Sequence, residues 1–223
     1  RTLIEDLTLA LETDSSLLVV GPSGCGKSSL LRAIAGLWLS GKGLIERPAM
    51  EQLLFLPQKP YMILGNLRQQ LLYPYPEVEI ADQHLQAALK TVNLPDLSDR
   101  FGGFEAEQEW GDVLSLGEQQ RLSFARVLLH EPRYAILDEA TSALDNLTEQ
   151  AVMEALLIAA LSEDDQGNDW SDSRDGAEML IVSAMAQNLV SLFFECFALR
   201  CQFGEACDLH QKSLYSDAVS LDG

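Results

Sequence analysis

The sequence has few cysteines and no long apolar run, and each shortage argues against a class of protein. Four cysteines in 223 residues, with no C-x-x-C spacing or neighbouring histidine pair, are too few and too scattered for a disulfide framework or a zinc site. They favour a reducing compartment. The longest apolar run, Leu189 to Leu199, is interrupted by Glu195 and is too short to cross a bilayer. No signal peptide is visible, and we expect any membrane-spanning part to lie upstream of Arg1.

Positive charge is also scarce. The chain has 15 Lys and Arg against 34 Asp and Glu, a formal net charge of -19. This charge repels a polyanion, so we expect no nucleic-acid partner, although a local phosphate site needs only a few donors and one or two cations. Residues 162–178 carry seven acids against one base, Arg174. Such a charge run predicts a solvated loop, with a regulatory or docking segment as the alternative.

Apolar periodicity predicts strands that alternate with helices. The predicted strands cover residues 3–11, 17–20, 53–56, 134–137 and 179–183, and the predicted helices cover 28–38, 80–92, 116–129 and 147–161. This alternation indicates an α/β fold with a mostly parallel sheet flanked by helices. Residues 59–127 contain few strand signals and are expected to form an inserted helical lobe. The core then takes about 1–58 and 128–183, and the tail 184–223 has no clear structure.

The chemistry begins with a glycine-rich turn between a predicted strand and a predicted helix. It matches G-x-x-x-x-G-K-[ST], the P-loop pattern, in which backbone N–H groups wrap a phosphate and the helix N-terminus adds partial positive charge. Lys27 supplies a full charge, and the Ser28 hydroxyl can bind Mg²⁺. The predicted ATP-binding residues of this turn are Gly21, Pro22, Ser23, Gly24, Cys25, Gly26, Lys27, Ser28 and Ser29.

Two acids end the predicted strand at residues 134–137. Ligands of open α/β folds sit beyond the carboxyl ends of the strands, which places Asp138 near the P-loop as a second Mg²⁺ group. Glu139, one residue later, can polarise a water for attack on the γ-phosphate. By itself an Asp-Glu pair also fits a solvated strand end.

A third motif reads Leu-Ser-Leu-Gly-Glu-Gln-Gln-Arg over residues 114–121. Ser115 and Glu118 form an S-x-x-E capping box, which starts the helix predicted from residue 116. A structural role alone would therefore explain both residues.

Taken together, the motifs resemble the ATPase domains of ABC proteins, of which the P-loop NTPase core with an inserted helical lobe is typical. The motif at 114–121 resembles the ABC signature, usually L-S-G-G-Q or L-S-G-G-E. Gln58 occupies the Q-loop position, and Ser142 to Asp145 resembles the D-loop. Gly36-Leu37-Trp38, residues 56–62, Leu67-Arg68 and Tyr73-Pro74 are similar to the subfamily D transporters of peroxisomes and plastids and to related bacterial peptide and cobalamin importers.

The resemblance implies a single ATP-binding domain over 1–223 that powers transport across a membrane. Two such domains, identical or different, would sandwich two ATP molecules head to tail, between the P-loop of one and Ser115, Gly117 and Glu118 of the other. Asp145 would lie beside the nucleotide, and Gln58 would contact Mg²⁺ and the attacking water while its loop touches a transmembrane partner. Such a domain lies on the cytosolic or stromal side of a membrane. The alternative is a soluble ABC ATPase without a transport role.

One family element is missing. A switch histidine is expected just after the strand predicted at 179–183, but the sequence continues Ala184-Met-Ala-Gln-Asn188. The chain's histidines are His84, His130 and His210, none of them in a similar context. Either the domain binds ATP and hydrolyses it poorly, or the residues from about Ala184 onward are not native to this fold.

Overall fold

A computed structural model describes residues 7–10, 17–47, 49–161, 180–184 and 218–220. It divides the chain into two compact units, one drawn from residues 1–55, 132–139 and 160–223, the other from 56–131 and 140–159. Within the described residues, no helix combines the length and the apolar character needed to cross a bilayer.

The first unit is built around a five-stranded sheet. Its strands, in chain order, are β1 Leu17–Val20, β2 Leu53–Leu56, β3 Tyr134–Asp138, β4 Leu180–Ala184 and β5 Ala218–Ser220. The spatial order is β2-β3-β4-β1-β5, and β4 pairs in parallel with both β1 and β3. The carboxyl ends of β1 and β3 therefore lie at one edge of the sheet, with only β4 between them.

Helix α1, Lys27–Ile34, covers this sheet. Its apolar positions recur every three or four residues, and Leu31 and Ala35 are buried against Leu17, Val19 and Ile136. Removing this apolar surface from water contributes roughly 25 cal/mol per Å². The helix is thereby held with its N-terminus directly after β1.

The second unit is helical. Its helices are α2 Leu67–Leu72, α3 Asp82–Thr91, α4 Leu97–Phe101, α5 Trp110–Val113, α6 Leu116–His130 and most of α7 Asn146–Leu161. Helices α2 and α3 both pack against α6, whose residues 122–127 are buried without exception. Trp110, 1% exposed, donates from its indole nitrogen to the Gly65 carbonyl at 2.8 Å.

The predicted α/β fold with a mostly parallel sheet is confirmed, with some corrections. The strand predicted at 3–11 is wrong for its described part, because residues 7–10 have no strand structure; its other residues lie outside the described ones. The first helix ends at Ile34 rather than 38, since Gly36 adopts a left-handed φ of 76°. Helices α2, α4 and α5 were not predicted because each is too short to show a period.

The tail 184–223, for which the sequence indicates no particular structure, contributes a strand. Residues 218–220 form β5, which pairs in parallel with β1 (Leu18 with Ala218). The acidic run 162–178, the other tail residues and His210 lie outside the described residues. The domain boundaries expected from the sequence stay a prediction.

Candidate nucleotide-binding site

The P-loop takes its shape from the glycine that precedes α1. Gly26 is the N-cap of α1 with φ 112°, a left-handed conformation that side chains with a Cβ rarely adopt, and it has no side-chain cap. The first N–H groups of α1 therefore face the loop without a competing side-chain acceptor. Pro22, Ser23 and Gly24 are exposed, whereas Cys25 and Gly26 are half-buried. This geometry suits a phosphate.

Lys27 is buried to 6% exposure and reaches across its own loop. Its ammonium group donates to the carbonyls of Gly21 at 2.8 Å and Pro22 at 3.3 Å. The Lys27 Nζ also lies 3.9 Å from Glu139 Oε1. The Lys27 ammonium thus places a positive charge inside the loop of an otherwise acidic chain.

Ser28 and Asp138 meet across 110 residues of sequence. The Ser28 hydroxyl donates to Asp138 Oδ1 at 2.6 Å, and Arg32, one helical turn further along α1, lies 3.8 Å from Asp138 Oδ2. Asp138 is 2% exposed at the end of β3. A hydroxyl and a carboxylate at this separation are the hard oxygen ligands that Mg²⁺ takes alongside nucleotide phosphates and water.

The described residues contain no group of three or more His, Cys, Asp and Glu side chains that could hold a metal ion by themselves. By their oxygen donors, Ser28 and Asp138 fit Mg²⁺ as two ligands of a site that nucleotide phosphates and water would complete.

Glu139 follows Asp138 in a left-handed backbone conformation, φ 50°. A glutamate rarely adopts this conformation, and such local strain is concentrated at functional sites. The Glu139 carboxylate is 29% exposed, so water can reach it. In the first unit the structure thus brings together Lys27, Ser28, Asp138 and Glu139, all of them predicted from the sequence.

The signature residues form the capping box predicted for α6, in the second unit. Ser115 and Glu118 exchange hydrogen bonds between side chain and backbone at 3.3 and 2.8 Å. Arg100 donates to Glu118 at 2.7 Å. Burial raises the pKa of Glu118, but the bonds from Ser115 and Arg100 outweigh it and hold the pKa below its ordinary value. Ser115 itself is exposed and Gly117 half-buried.

The Q-loop and D-loop residues also lie in the second unit. Gln58 is exposed, and its backbone carbonyl accepts a bond from the Gln120 side chain at 2.8 Å. The Asp145 carboxylate accepts from the Thr148 amide at 3.0 Å and the Thr148 hydroxyl at 2.7 Å, which caps the start of α7. These bonds lower the pKa of Asp145. The carboxylate that the resemblance places beside the nucleotide is therefore also a helix cap.

Sequence reasoning missed three polar side chains around these segments, of which Arg32 is exposed and the other two are buried. Arg32 was outside every motif, whereas Gln120 and Arg126 lie on α6 and are 0% and 5% exposed. Gln120 stands inside the signature motif, so its position was visible. Its long-range partners were not.

Neither described histidine occupies the switch position. His84 is exposed on α3, and His130 ends α6 with its Nε2 3.1 Å from the Tyr73 carbonyl. Burial lowers the pKa of His130. The residues that follow β4, 185–188, lie outside the described ones.

Known proteins share these features. The family model for ABC transporters matches residues 4–142. An uncharacterised ABC transporter ATP-binding protein of Synechocystis sp. is 60% identical over 156 residues, 70% of this chain and 24% of that protein. The chloroplastic ABC transporter D family member 2 of Arabidopsis thaliana is 40% identical over 206 residues, 72% of this chain and 29% of that protein. The lysosomal cobalamin transporter of Mus musculus is 45% identical over 168 residues, covering 71% and 27%.

A solved structure of a bacterial Atm1-family ABC exporter with ATP bound matches with a TM-score of 0.60 at 26% identity, covering 80% of this chain and 30% of that one. The chain spans about a quarter of the length of the curated relatives above, namely 24%, 29% and 27%. The resemblance to subfamily D transporters is confirmed by these relatives. With its phosphate-binding turn, paired acids and matched family model, the chain belongs to the ABC transporter family, as an ATP-binding domain with subfamily D members among its relatives.

Proposed function

We propose that this chain binds and hydrolyses ATP to power substrate transport across a membrane. The observation that carries the proposal is the bond between Ser28 and Asp138, with Lys27 and Glu139 beside each other in the same unit. A cation, an oxygen ligand pair and a water-accessible carboxylate are the parts that phosphoryl transfer to water requires.

Binding is assigned to the P-loop. The backbone N–H groups of residues 23–28 and the Lys27 ammonium would hold the β- and γ-phosphates, with Lys27 exchanging its carbonyl partners for phosphate oxygens. Ser28 and Asp138 would hold Mg²⁺, with Gln58 as a further oxygen ligand. When bound, the ion would neutralise the charge that develops on the phosphate oxygens.

Glu139 is assigned as the general base. Its carboxylate accepts a proton from the attacking water as the water oxygen bonds to the γ-phosphorus and the bond to the ADP oxygen breaks. Gln58 would orient that water. The partial exposure of Glu139 supports this role, because water can reach a carboxylate that lies 3.9 Å from the Lys27 ammonium of the P-loop.

The proposed partners are a second ATP-binding domain, identical or different, and a transmembrane domain. Ser115, Gly117 and Glu118 of one copy would contact the ATP held by the P-loop of the other. Exposed Ser115 at the N-terminus of α6 supports this, because backbone N–H groups there suit a γ-phosphate. We place the domain on the cytosolic or stromal side of a membrane, with its limits as the sequence predicts: core 1–58 and 128–183, helical lobe 59–127.

A second candidate function is ATP binding with impaired hydrolysis. The observation that favours it is the sequence after β4, Ala184-Met-Ala-Gln-Asn188, where the family resemblance expects a histidine. Such a domain would still bind ATP and pair.

Turnover and pairing distinguish these candidates. We expect the wild-type chain to release phosphate from ATP with Mg²⁺, and Glu139→Gln to lose turnover while an ATP-bound dimer accumulates in size-exclusion chromatography with light scattering. Glu109→Gln, an exposed acid outside the motifs, serves as the matched control and should leave both unchanged. Tight ATP binding with background turnover in the wild type would establish the second candidate instead. Active Glu139→Gln protein would refute the assigned base.

Transport requires a separate test against the soluble-ATPase alternative. The coding sequence upstream of Arg1 should specify a run of membrane-spanning helices. If a soluble domain or no domain is encoded there, the transport role fails while the ATPase assignment stands.

A further inference from the structure

We propose that Gln120 is a positioning residue, which holds the Q-loop and the D-loop on the N-terminal part of α6 so that each of the three segments is in place for its proposed role in the ATP-bound dimer. The proposal rests on the proposed function, since it concerns segments assigned there to ATP and to the second copy. Gln120 itself has no assigned contact with nucleotide.

The Gln120 amide uses all of its strong hydrogen-bonding groups on these loops. Its Nε2 donates to the Gln58 carbonyl at 2.8 Å and to the Ser142 hydroxyl at 3.1 Å, and its Oε1 accepts from the Ala143 amide at 2.9 Å. The partners are 62, 22 and 23 residues away in sequence. One side chain therefore joins the Q-loop, the signature helix and the D-loop.

The direction of the amide is set by its partners. Turning it over would place the NH₂ group against the Ala143 N–H and the oxygen against the Gln58 carbonyl, giving two repulsive contacts. Gln120 is fully buried, with 0% exposure, so its amide depends on these protein partners for its hydrogen bonds. A buried polar side chain with every bond made specifies a single arrangement of the segments that it joins.

Gly117, about one turn before Gln120 on α6, also contacts the D-loop at Ala143. A Cβ at this position would lie 3.0 Å from the Ala143 carbonyl oxygen, closer than ordinary van der Waals contact. The Ala143 residue is thus held through its amide by Gln120 and meets Gly117 through its carbonyl. The D-loop backbone approaches α6 as closely as a residue without a side chain permits.

The side chains that follow these anchored backbone groups are exposed. Gln58, Ser142 and Asp145 are all solvent-accessible. The proposed function places Gln58 at the nucleotide, and the family resemblance places Asp145 beside it. Gln120 fixes the backbone from which they project. Losing it would leave the ATP affinity of the single chain intact, because the P-loop contacts are independent of it, but would misplace the groups needed for turnover.

The test replaces Gln120 with methionine, which matches its length and removes the three bonds. Gln86→Met is the matched control: the Gln86 amide on α3 also bonds a carbonyl (Pro95, 2.6 Å) and a serine hydroxyl (Ser98, 2.9 Å), but joins only α3 and α4. For Gln120→Met we expect at least about tenfold faster hydrogen exchange at the Ala143 amide. ATP turnover should fall about tenfold or more, with the affinity of the chain for a fluorescent ATP analogue within about twofold of wild type. Gln86→Met should leave the Ala143 exchange and the turnover unchanged.

Several outcomes would overturn the proposal. One is a folded Gln120→Met protein with wild-type turnover, and another is unchanged exchange at Ala143. If Gln120→Met does not fold, Ser142→Ala decides, because Ser142 is exposed and its loss removes one bond without disturbing the core: turnover should fall about threefold, and unchanged turnover refutes the role. Background turnover in the wild type marks failure of the proposed function instead, and the Ala143 exchange rates then still show whether Gln120 holds the D-loop.

Discussion

The buried guanidinium of Arg126 offers a sharp test of how the second unit holds the segment that follows Gln58. Arg126 is 5% exposed, and among the described residues it forms no ion pair with a carboxylate. It donates to the Gln70 carbonyl at 2.7 Å, the Tyr61 carbonyl at 3.0 Å and Gln70 Oε1 at 3.4 Å, and its guanidinium lies over the Tyr73 ring at 5.2 Å. Burial lowers the pKa of Arg126 to about 10.

These contacts set the expected cost of Arg126→Met. Each hydrogen bond to a charged group contributes about 1.5–3 kcal/mol, and its loss leaves a buried carbonyl unsatisfied. Against this, the variant removes the cost of burying the charge, which the lowered pKa puts at roughly 3 kcal/mol. Arg126→Met should therefore lower the free energy of unfolding by about 3 kcal/mol. This corresponds to a fall in Tm of about 6–12 °C for a chain of this size.

Urea unfolding followed by tryptophan fluorescence measures this loss, since Trp110 is buried in the same unit. Arg121→Met is the matched control on α6, because among the described residues the Arg121 guanidinium bonds one carbonyl, that of Asn93 at 3.3 Å. We expect the control to cost less than about 1 kcal/mol. If Arg126→Met costs no more than the control, the guanidinium does not brace the segment and the reasoning is wrong.

Two further predictions concern charge. Lys27→Ala should weaken binding of a fluorescent ATP analogue at least about tenfold, because the positive charge of the P-loop is lost. The control is Lys90→Ala, at an exposed lysine. Equal affinities of the two variants for the analogue would contradict the assignment of Lys27 to phosphate. Glu149 is 1% exposed, and burial, partly offset by a bond with Thr141, raises its pKa. The folded state then keeps a proton that the unfolded state releases, so stability falls as pH rises from the ordinary glutamate value through the raised one. In Glu149→Gln the urea midpoint should therefore fall less over this pH range than in the wild type. The control Glu154→Gln should keep the wild-type fall. Parallel pH profiles in the wild type and Glu149→Gln would refute the prediction.

Features that depend on neighbours in sequence could be predicted from the sequence. The turn from β1 into α1 follows from glycine conformations next to an apolar strand, and the capping box joins Ser115 and Glu118 three residues apart. Both involve local geometry that the chain adopts wherever the segment lies. For the same reason helix α6 begins at the predicted residue.

Short elements and long-range contacts could not be predicted. Helix α5 has four residues and β5 has three, too few for any periodicity to stand out. The strand predicted before β1 failed over residues 7–10 because alternation alone does not supply the partner strand that a sheet requires.

The sequence by itself therefore determined the phosphate-binding turn, the identity of the paired acids and the membership of a family whose motifs occur in a set order. The tertiary structure alone decided that Asp138 receives the Ser28 hydroxyl from 110 residues away, and that Gln120 rather than another polar residue of α6 joins Gln58 to Ala143. The physical reason is that strand order and helix packing choose which distant groups share a buried site, and a polar side chain reveals its role only when its partners are known.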